Sequence, residues 1–291
     1  MSRVAYVNGR YVPHRDARVH VEDRGFQFAD GIYEVIHVHG GRFVDEDRHL
    51  ARLERSLGEV RLPMPRARPA LQRILREVVA RNRVAEGLVY MQVTRGAARR
   101  DFAFPPEGTT PSLVVTARRA PDYPAGVEAW TATVITHPEQ RWARRDIKSV
   151  SLLPNVLAKQ AARERGAYEA VLVDADGLVT EGSSSTIWIV DEEGRLRTRR
   201  LGHEILPGCT RDALIALLRG QGIAFEERAF SVAELRGARE AFLTSATSFV
   251  KPIVAVDGAP VGNGAVGLVT GELFTLFGAH VTAACRGAPG C

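Results

Sequence analysis

Two glycine-centred turns near the N-terminus most constrain how this chain folds. The stretch VAYVNGRYV alternates apolar residues around Asn8-Gly9, which is the strongest short signal for a β-hairpin. FADGIYEVIHVHGGRFV predicts a second pair of strands around Gly40-Gly41. The next stretch, DEDRHLARLERSLGEVRL, has leucines at helical spacing, and a further helix is predicted for residues 66–81. Hairpins beside helices predict an α+β first half.

A stretch near mid-chain, RRAPDYPAG at residues 118–126, is the predicted interdomain linker because it holds two prolines and a glycine. The length of 291 residues also suggests about two domains. After the linker, predicted strands and helices mix, which favours a mixed α/β second half. We therefore predict a smaller N-terminal α+β domain at 1–117, a larger C-terminal domain at 127–285 and a flexible tail at 286–291.

Composition excludes several classes of protein. The net charge is only +5 and the acidic and basic residues are interleaved, so no nucleic-acid partner is expected. No apolar run reaches about 18 residues, so no membrane span is expected, and the N-terminus resembles a hairpin more than a signal peptide. Cys209, Cys285 and Cys291 have neither zinc-site spacing nor a disulfide pattern, which favours a reducing cytoplasm.

Two further patterns invite functional readings that the sequence does not support. GNGAVG at 262–267 fits the dinucleotide motif G-x-G-x-x-G, but only 24 residues follow it, so a glycine-rich turn before the last helix is predicted. His37 and His39 share one strand face, yet no third ligand has suitable spacing. No metal site is predicted.

Lys148 is notable because it is one of only three lysines in a chain that otherwise uses arginine as its cation. It lies in the apolar context DIKSVSLLPNVLAKQ. Arginine keeps its charge in proteins, whereas a partly buried lysine can lose its proton and act as a nucleophile or Schiff-base former. The simpler alternative is a lysine that ends a strand with its ammonium in water. Lys159 is expected to face solvent from the following helix.

A Schiff-base lysine needs a cofactor, and the sequence supplies candidates for the other parts of a pyridoxal phosphate site. Glu181, in VTEGSSS, could hold a pyridinium nitrogen protonated. Thr210 is the predicted N-cap of a helix after LPG, so the amides of Cys209 and Thr210 could bind a phosphate. TSATS at 244–248 offers more hydroxyls and amides, and Arg52 could add a charge-assisted contact. Each feature alone also fits an ordinary surface group or cap; together they favour the cofactor.

Seven stretches together resemble the D-amino acid transaminases among the fold-type IV pyridoxal phosphate enzymes, and the resemblance covers nearly the whole chain. They are EDRGFQFADGIYEV (22–35), HLARL (49–53), YMQVTRG (90–96), DIKSVSLLPNVLAKQ (146–160), VTEGSSS (179–185), ILPGCTR (205–211) and FLTSATS (242–248).

The resemblance implies a two-domain homodimer whose larger C-terminal domain binds pyridoxal 5'-phosphate, with the active site in the domain cleft near the dimer interface. It implies Lys148 as the Schiff-base lysine and Glu181 as the partner of the cofactor nitrogen. The other implied cofactor contacts are Arg52, Leu206, Cys209, Thr210, Ala246 and Thr247. The implied substrate contacts are Tyr33, Val35, Arg100 and Phe102.

The implied reaction transfers the amino group of a D-amino acid to a 2-oxo acid, such as 2-oxoglutarate or pyruvate. The YEV at 33–35 and the RGxxxR spacing favour this branch of the family. A branched-chain aminotransferase, an (R)-selective amine transaminase and an aminodeoxychorismate lyase stay open as alternatives. A protein that binds pyridoxal phosphate without catalysis is the non-enzyme alternative.

Two positions depart from the family pattern. The family follows its carboxylate-binding arginine with a histidine two residues later, whereas this chain reads RRDFAF and has Phe102 there. Because phenylalanine cannot donate a hydrogen bond, we expect a looser carboxylate clamp and additional activity on (R)-primary amines; a rearranged loop is the alternative. Ala246 replaces a threonine found in family members, which a contact through the backbone N–H would tolerate.

Overall fold

The computed structural model describes residues 3–121 and 123–284 and divides them into two compact units. The first unit holds residues up to 121, together with Ile147–Ser151 and residues 282–284. The second unit holds Tyr123–Asp146 and Leu152–Val281. The predicted tail at 286–291 lies outside the described residues, as do Cys285 and Cys291.

The first unit is built on an antiparallel sheet with the strand order β2-β1-β6-β5-β3-β4. Both predicted hairpins are present: β1 pairs with β2 across Asn8-Gly9, and β3 pairs with β4 across Gly40-Gly41. Asn8 and Gly9 both have positive φ, which this pair of residues tolerates well. The strands are β1 Val4–Val7, β2 Arg10–Pro13, β3 Gly31–His39, β4 Arg42–Phe43, β5 Gly87–Thr94 and β6 Ser112–Arg119.

The helices of the first unit are α1 Arg24–Phe28, α2 Glu46–Glu59 and α3 Arg68–Asn82. Leucines at helical spacing on α2 and α3 are buried in one apolar core with residues from β3, β5 and β6. The short segment Ile147–Ser151 joins this unit because it pairs with the start of β3: Ser149 bridges Ile32, and the Val150 N–H donates to the Gly31 carbonyl at 3.0 Å.

The second unit has a mixed sheet with the order β12-β11-β10-β13-β14-β7-β8-β9, and β15 pairs with β14. Parallel pairs join β14 to β7, β7 to β8 and β11 to β12, while the other pairs are antiparallel. This is the predicted mixed α/β half. The strands are β7 Ala132–Pro138, β8 Glu169–Val173, β9 Val179–Gly182, β10 Thr186–Val190, β11 Leu196–Thr198, β12 Phe225–Glu227, β13 Glu240–Ser245, β14 Phe249–Val256 and β15 Ala259–Pro260.

The helices of the second unit differ from the prediction mainly at their starts. The helix that carries Lys159, which the sequence predicts over residues 156–166, begins three residues earlier, at Leu153, because Pro154 suits the first turn of a helix. Thr210 is not the N-cap of its helix: Gly208 is, and Thr210 lies within the first turn. Residues 262–267 form the predicted turns before the last helix. The helices are α4 Leu153–Glu164, α5 Cys209–Gly220, α6 Val232–Gly237 and α7 Leu268–Ala284.

No helix among the described residues is long and apolar enough to cross a membrane.

Candidate active site

Lys148 meets Tyr33 in the first unit. The Lys148 Nζ lies 3.3 Å from the Tyr33 hydroxyl oxygen and 4.3 Å from the centre of its ring. The backbones are joined as well, since the Tyr33 N–H donates to the Lys148 carbonyl at 3.1 Å. Lys148 is half-buried, so its amine is sheltered and still reachable. A lysine amine beside a tyrosine hydroxyl can pass a proton within hydrogen-bond reach.

Tyr33 is itself held in place by a neighbouring aromatic ring. It stacks on Tyr90 with the ring centres 5.8 Å apart. Burial, with a smaller contribution from Tyr33, raises the pKa of Tyr90 to about 12, and its hydroxyl donates to the Gln92 side chain at 2.6 Å. Val35 lies two residues after Tyr33 on β3 and therefore on the same face of the strand. Tyr33 and Val35 are both half-buried there.

Arg52 is paired on the opposite face of β3, where Glu34 is fully buried. The Arg52 Nε and Nη2 atoms each donate to a Glu34 carboxylate oxygen at 2.8 Å, and His49 Nδ1 lies 2.8 Å from Glu34 Oε2. Burial alone would raise the pKa of Glu34, but attraction to Arg52 and the hydrogen bonds from Arg52 and His49 lower it to about 2. The triad fixes the orientation of the Arg52 side chain.

Glu181 lies on β9 in the second unit, buried beside Arg141. Arg141 donates a hydrogen bond to Glu181 Oε1, and the Leu206 N–H donates to both carboxylate oxygens at 3.2 Å. Burial raises the pKa of Glu181 above its usual value, and Arg141 opposes that effect. The carboxylate is thus a desolvated group whose charge depends on one guanidinium.

A second carboxylate holds Arg141 from the other side. Glu139 Oε2 accepts from Arg141 Nη2 at 2.6 Å and from the Thr180 hydroxyl at 2.8 Å. Burial would raise the pKa of Glu139, but the hydrogen bonds and charge of Arg141 lower it. Arg145 adds an ion pair to Glu139 at 3.5 Å. Arg141 thus bonds to Glu139 and Glu181 at once, and this buried network holds the Glu181 carboxylate in place.

The remaining predicted cofactor contacts lie at two turns of the second unit. Cys209 and Thr210 are buried in the first turn of α5, whose N-cap Gly208 provides no side chain to bind the free N–H groups. A Cβ at Gly208 would lie 3.0 Å from the Thr186 hydroxyl oxygen, so this turn has room only for glycine without rearrangement. Such a helix terminus can bind an anion.

Ala246 and Thr247 lie in the turn between β13 and β14. The Ser245 hydroxyl oxygen accepts from the Thr247 N–H at 3.3 Å and lies 3.2 Å from the Thr247 hydroxyl. The Ala246 N–H and the Thr247 hydroxyl thus lie at the end of a strand, where backbone and hydroxyl donors can bind a phosphate.

Arg100 and Phe102 lie together on an exposed segment of the first unit. The guanidinium carbon of Arg100 is 5.7 Å from the centre of the Phe102 ring and 5.1 Å from that of Phe28. Phe102 is 80% exposed. The Arg100–Phe102 pair is therefore one contiguous surface of cation and aromatic ring.

Comparison with known sequences and structures identifies the kind of enzyme that carries these groups. The family described as amino-transferase class IV matches residues 31–256. The chain belongs to the class IV aminotransferases.

Individual class IV aminotransferases and related solved structures resemble the chain over most of its length. A D-alanine aminotransferase from Bacillus licheniformis is 39% identical over 92% of this chain and 93% of its own. The branched-chain amino acid aminotransferase of Escherichia coli has a TM-score of 0.89 at 25% identity, covering 98% of this chain and 96% of its own. The T.th. enzyme of the same name, solved with pyridoxamine 5'-phosphate, has a TM-score of 0.85 at 26% identity, covering 99% and 96%. The fold-type IV architecture is thereby confirmed.

Four residues of the two buried networks were not identified from the sequence. Glu34, His49, Arg141 and Glu139 complete the two buried networks. His49 and Arg52 are three residues apart on α2 and so share a helix face, which is a usable signal for a common partner. Arg141 carries no such signal, since 40 residues separate it from Glu181.

Proposed function

We propose that the chain is a pyridoxal 5'-phosphate-dependent D-amino acid aminotransferase, which transfers the amino group of a D-amino acid to 2-oxoglutarate or pyruvate. The observation that carries this is the Lys148 amine 3.3 Å from the Tyr33 hydroxyl in a chain of this family. The 39% identity to a D-alanine aminotransferase, over 92% of the chain, supports the choice of amino donor.

The chemistry of the donor groups fits the cofactor. A primary amine at Lys148 suits its aldehyde, a buried carboxylate at Glu181 suits its ring nitrogen, and the uncapped start of α5 suits its phosphate. Thr247, the Ala246 N–H and Arg52 are the further proposed phosphate contacts, and Leu206 is the proposed contact to the ring. When bound, pyridoxal phosphate supplies an electron sink for the bond that breaks at the substrate Cα.

The residues of the chain supply binding, orientation and proton transfer. Lys148 would hold the cofactor between turnovers, and its Nζ, once released from that bond by the incoming substrate amine, would take the proton from the substrate Cα. The Tyr33 hydroxyl, within hydrogen-bond reach of Nζ, orients the amine. Arg141 stabilises the charged form of the Glu181 carboxylate, the form that would pair with a protonated ring nitrogen. Arg100 binds the substrate carboxylate.

The experiment is an assay of the purified protein with a panel of donors. D-Alanine with 2-oxoglutarate should give pyruvate and glutamate, and Lys148→Ala should give neither. Turnover of L-branched-chain amino acids alone would indicate a branched-chain aminotransferase. Pyruvate from aminodeoxychorismate would indicate the lyase, and bound cofactor without turnover of any donor would indicate a binding protein; each of these results contradicts the proposal.

A homodimer and a cytoplasmic setting are also part of the proposed function. The family resemblance supports the first, and the absence of a disulfide or zinc pattern among the cysteines supports the second. Sedimentation velocity on the purified protein tests the dimer, and a monomer at micromolar concentration would contradict it.

A further inference from the structure

The guanidinium of Arg100 is flanked by two aromatic rings. Its central carbon lies 5.1 Å from the ring centre of Phe28 and 5.7 Å from that of Phe102. The two ring centres are 5.5 Å apart, with the planes tilted by 47°. Both distances are within the range of about 6 Å over which an aromatic ring attracts a cation. The rings hold Arg100 without consuming any of its N–H donors.

Arg24 contacts both of the segments that carry the two rings. Its guanidinium carbon lies 4.8 Å from the Phe28 ring centre, and its Nη1 donates to the Asp101 carbonyl at 2.6 Å. Arg24 is buried and also pairs with Asp30 at 2.9 Å. One arginine therefore anchors α1, which carries Phe28, to the segment that carries Arg100 and Phe102.

The charges of the residues around the two rings favour the binding of an anion. Asp30 is shared by Arg24 and Arg95, at 2.9 and 2.8 Å, so two guanidinium groups are balanced by one carboxylate. Asp101 directs Oδ1 to the Ala103 N–H at 3.1 Å. Among residues 3–121 and 123–284, no carboxylate lies within ion-pair distance of Arg100, which is exposed. Its N–H donors are available to a carboxylate from outside the chain.

We propose that Phe28 and Phe102 are positioning residues that pre-orient Arg100 for the substrate carboxylate, and this rests on the function proposed above. Ring contacts here replace the hydrogen-bonding histidine of the family pattern at position 102. A guanidinium that is already ordered loses less side-chain freedom when it binds, and an aromatic face restrains it without competing for its donors. Phe28 thereby becomes part of carboxylate recognition, which the sequence alone did not suggest.

The first test compares leucine and tyrosine at each ring position. Leu keeps the apolar volume and removes the aromatic face, whereas Tyr keeps both. The amino-donor half-reaction is followed in a single turnover without a 2-oxo acid, so that only one carboxylate is involved. Phe28→Leu and Phe102→Leu should each raise the half-saturating D-alanine concentration about 2–10-fold and leave the maximal rate within about twofold. Phe28→Tyr and Phe102→Tyr should each half-saturate at a lower D-alanine concentration than the corresponding leucine variant, because tyrosine keeps the aromatic face.

A thermodynamic cycle separates positioning from a general loss of structure. In an Arg100→Leu background, neither Phe28→Leu nor Phe102→Leu should raise the half-saturating D-alanine concentration further. The guanidinium that the two rings position is absent from that background. If the leucine substitutions weaken D-alanine binding by the same factor in that background as in the wild type, the proposal is overturned. It is also overturned if the tyrosine variants bind D-alanine as weakly as the leucine variants. Melting temperatures of all variants, compared with the wild type, identify any that fold poorly.

Carboxylate binding can also be measured without turnover. In ligand-observed NMR titrations, propionate should bind the wild type more tightly than its neutral analogue propionamide. This preference should vanish in Arg100→Leu and decrease about 2–10-fold in both leucine variants. A wild type that binds propionate through Arg100 yet converts no D-amino acid would contradict the proposed function alone. Normal turnover with unchanged propionate affinity in both leucine variants would contradict the positioning role alone.

Discussion

Lys148 Nζ lies 3.3 Å from the Tyr33 hydroxyl, and the two residues are also joined through the Tyr33 N–H and the Lys148 carbonyl. Because both the backbone and the side chains are paired, the amine is placed by the sheet of the first unit. This arrangement supports the proposal that the Lys148 amine takes up a proton during catalysis.

The first prediction is that Lys148→Ala removes covalent cofactor binding and transamination and leaves the fold intact. Borohydride reduction followed by peptide mapping measures where the cofactor is attached. Lys159→Ala is the matched control, since Lys159 is a lysine that pairs with Glu169 at 3.4 Å. Lys251 is the stronger alternative attachment point for the cofactor, because burial, with a contribution from the charge of Lys159, lowers its pKa to about 8. Cofactor trapped on Lys159 or Lys251 in the wild type would show that the assignment of Lys148 is wrong.

The second prediction is that Glu181→Gln lowers kcat about 10²-fold, because a neutral amide cannot stabilise positive charge on the ring nitrogen. Glu193→Gln is the control, since the Glu193 carboxylate is exposed and pairs only with Arg195 among the described residues. Steady-state kinetics with D-alanine measure kcat for the wild type and both variants. Wild-type turnover in Glu181→Gln would count against any role in supporting the cofactor.

The third prediction concerns the pH dependence of an Arg141→Met variant. Burial raises the pKa of Glu181, and Arg141 is the main group that opposes this. Without that guanidinium the pKa should rise further, so the carboxylate becomes protonated, and kcat is lost, at a higher pH than in the wild type. Arg141→Lys should largely preserve the wild-type profile. Superimposable pH–kcat profiles for the methionine variant and the wild type would contradict the prediction.

The fourth prediction is that the wild type has measurable activity with (R)-1-phenylethylamine and that Phe102→His shifts preference towards carboxylate substrates. Histidine adds a hydrogen-bond donor and keeps an aromatic ring near Arg100. One added bond to a charged group should improve the kcat/KM ratio of D-alanine to the amine about 10–100-fold, from roughly 1.5–3 kcal/mol. Arg100→Ala should lower the same ratio. No amine activity, with unchanged ratios in Phe102→His, would favour the rearranged-loop alternative.

The fifth prediction is that Glu34 stabilises the protein against acid. Its pKa in the folded protein, about 2, is below the ordinary value of 4.5, so the stabilisation is complete above about pH 4.5 and is lost as the pH falls towards 2. The shift corresponds to about 3 kcal/mol. Glu34→Gln should cost about 3–5 kcal/mol at neutral pH, because Arg52 stays buried without its partner. Urea unfolding at several pH values measures both effects.

Glu86→Gln is the matched control for Glu34, since Glu86 also pairs with a histidine, His39, at 2.8 Å but is partly exposed. Its effect on the free energy of unfolding should stay within about 1 kcal/mol. Equal losses in the two variants would show that burial of Glu34 is not the cause.

The sequence by itself determined the features that depend on neighbours along the chain. Asn8-Gly9 and Gly40-Gly41 form their turns because positive φ is a local property, and the leucines of α2 are buried because their spacing matches one helix face. The stretches around Lys148 and Glu181 predicted the family for the same reason, since each motif is contiguous. Lys148 was therefore identified before its tyrosine partner was known.

Only the tertiary structure decided which charges meet. Arg141 and Glu181 are 40 residues apart, and Glu34 and Arg52 are 18 residues apart, and nothing local in the sequence selects these pairs from many arginines. Burial tends to raise the pKa of both carboxylates, and the paired arginine tends to lower it. The arginine outweighs burial at Glu34, whose pKa is lowered, but not at Glu181, whose pKa is raised. Thr210 shows the same limit: the chain geometry before α5 placed Gly208 at the cap instead. Long-range packing, not local preference, sets the electrostatics of these two buried networks.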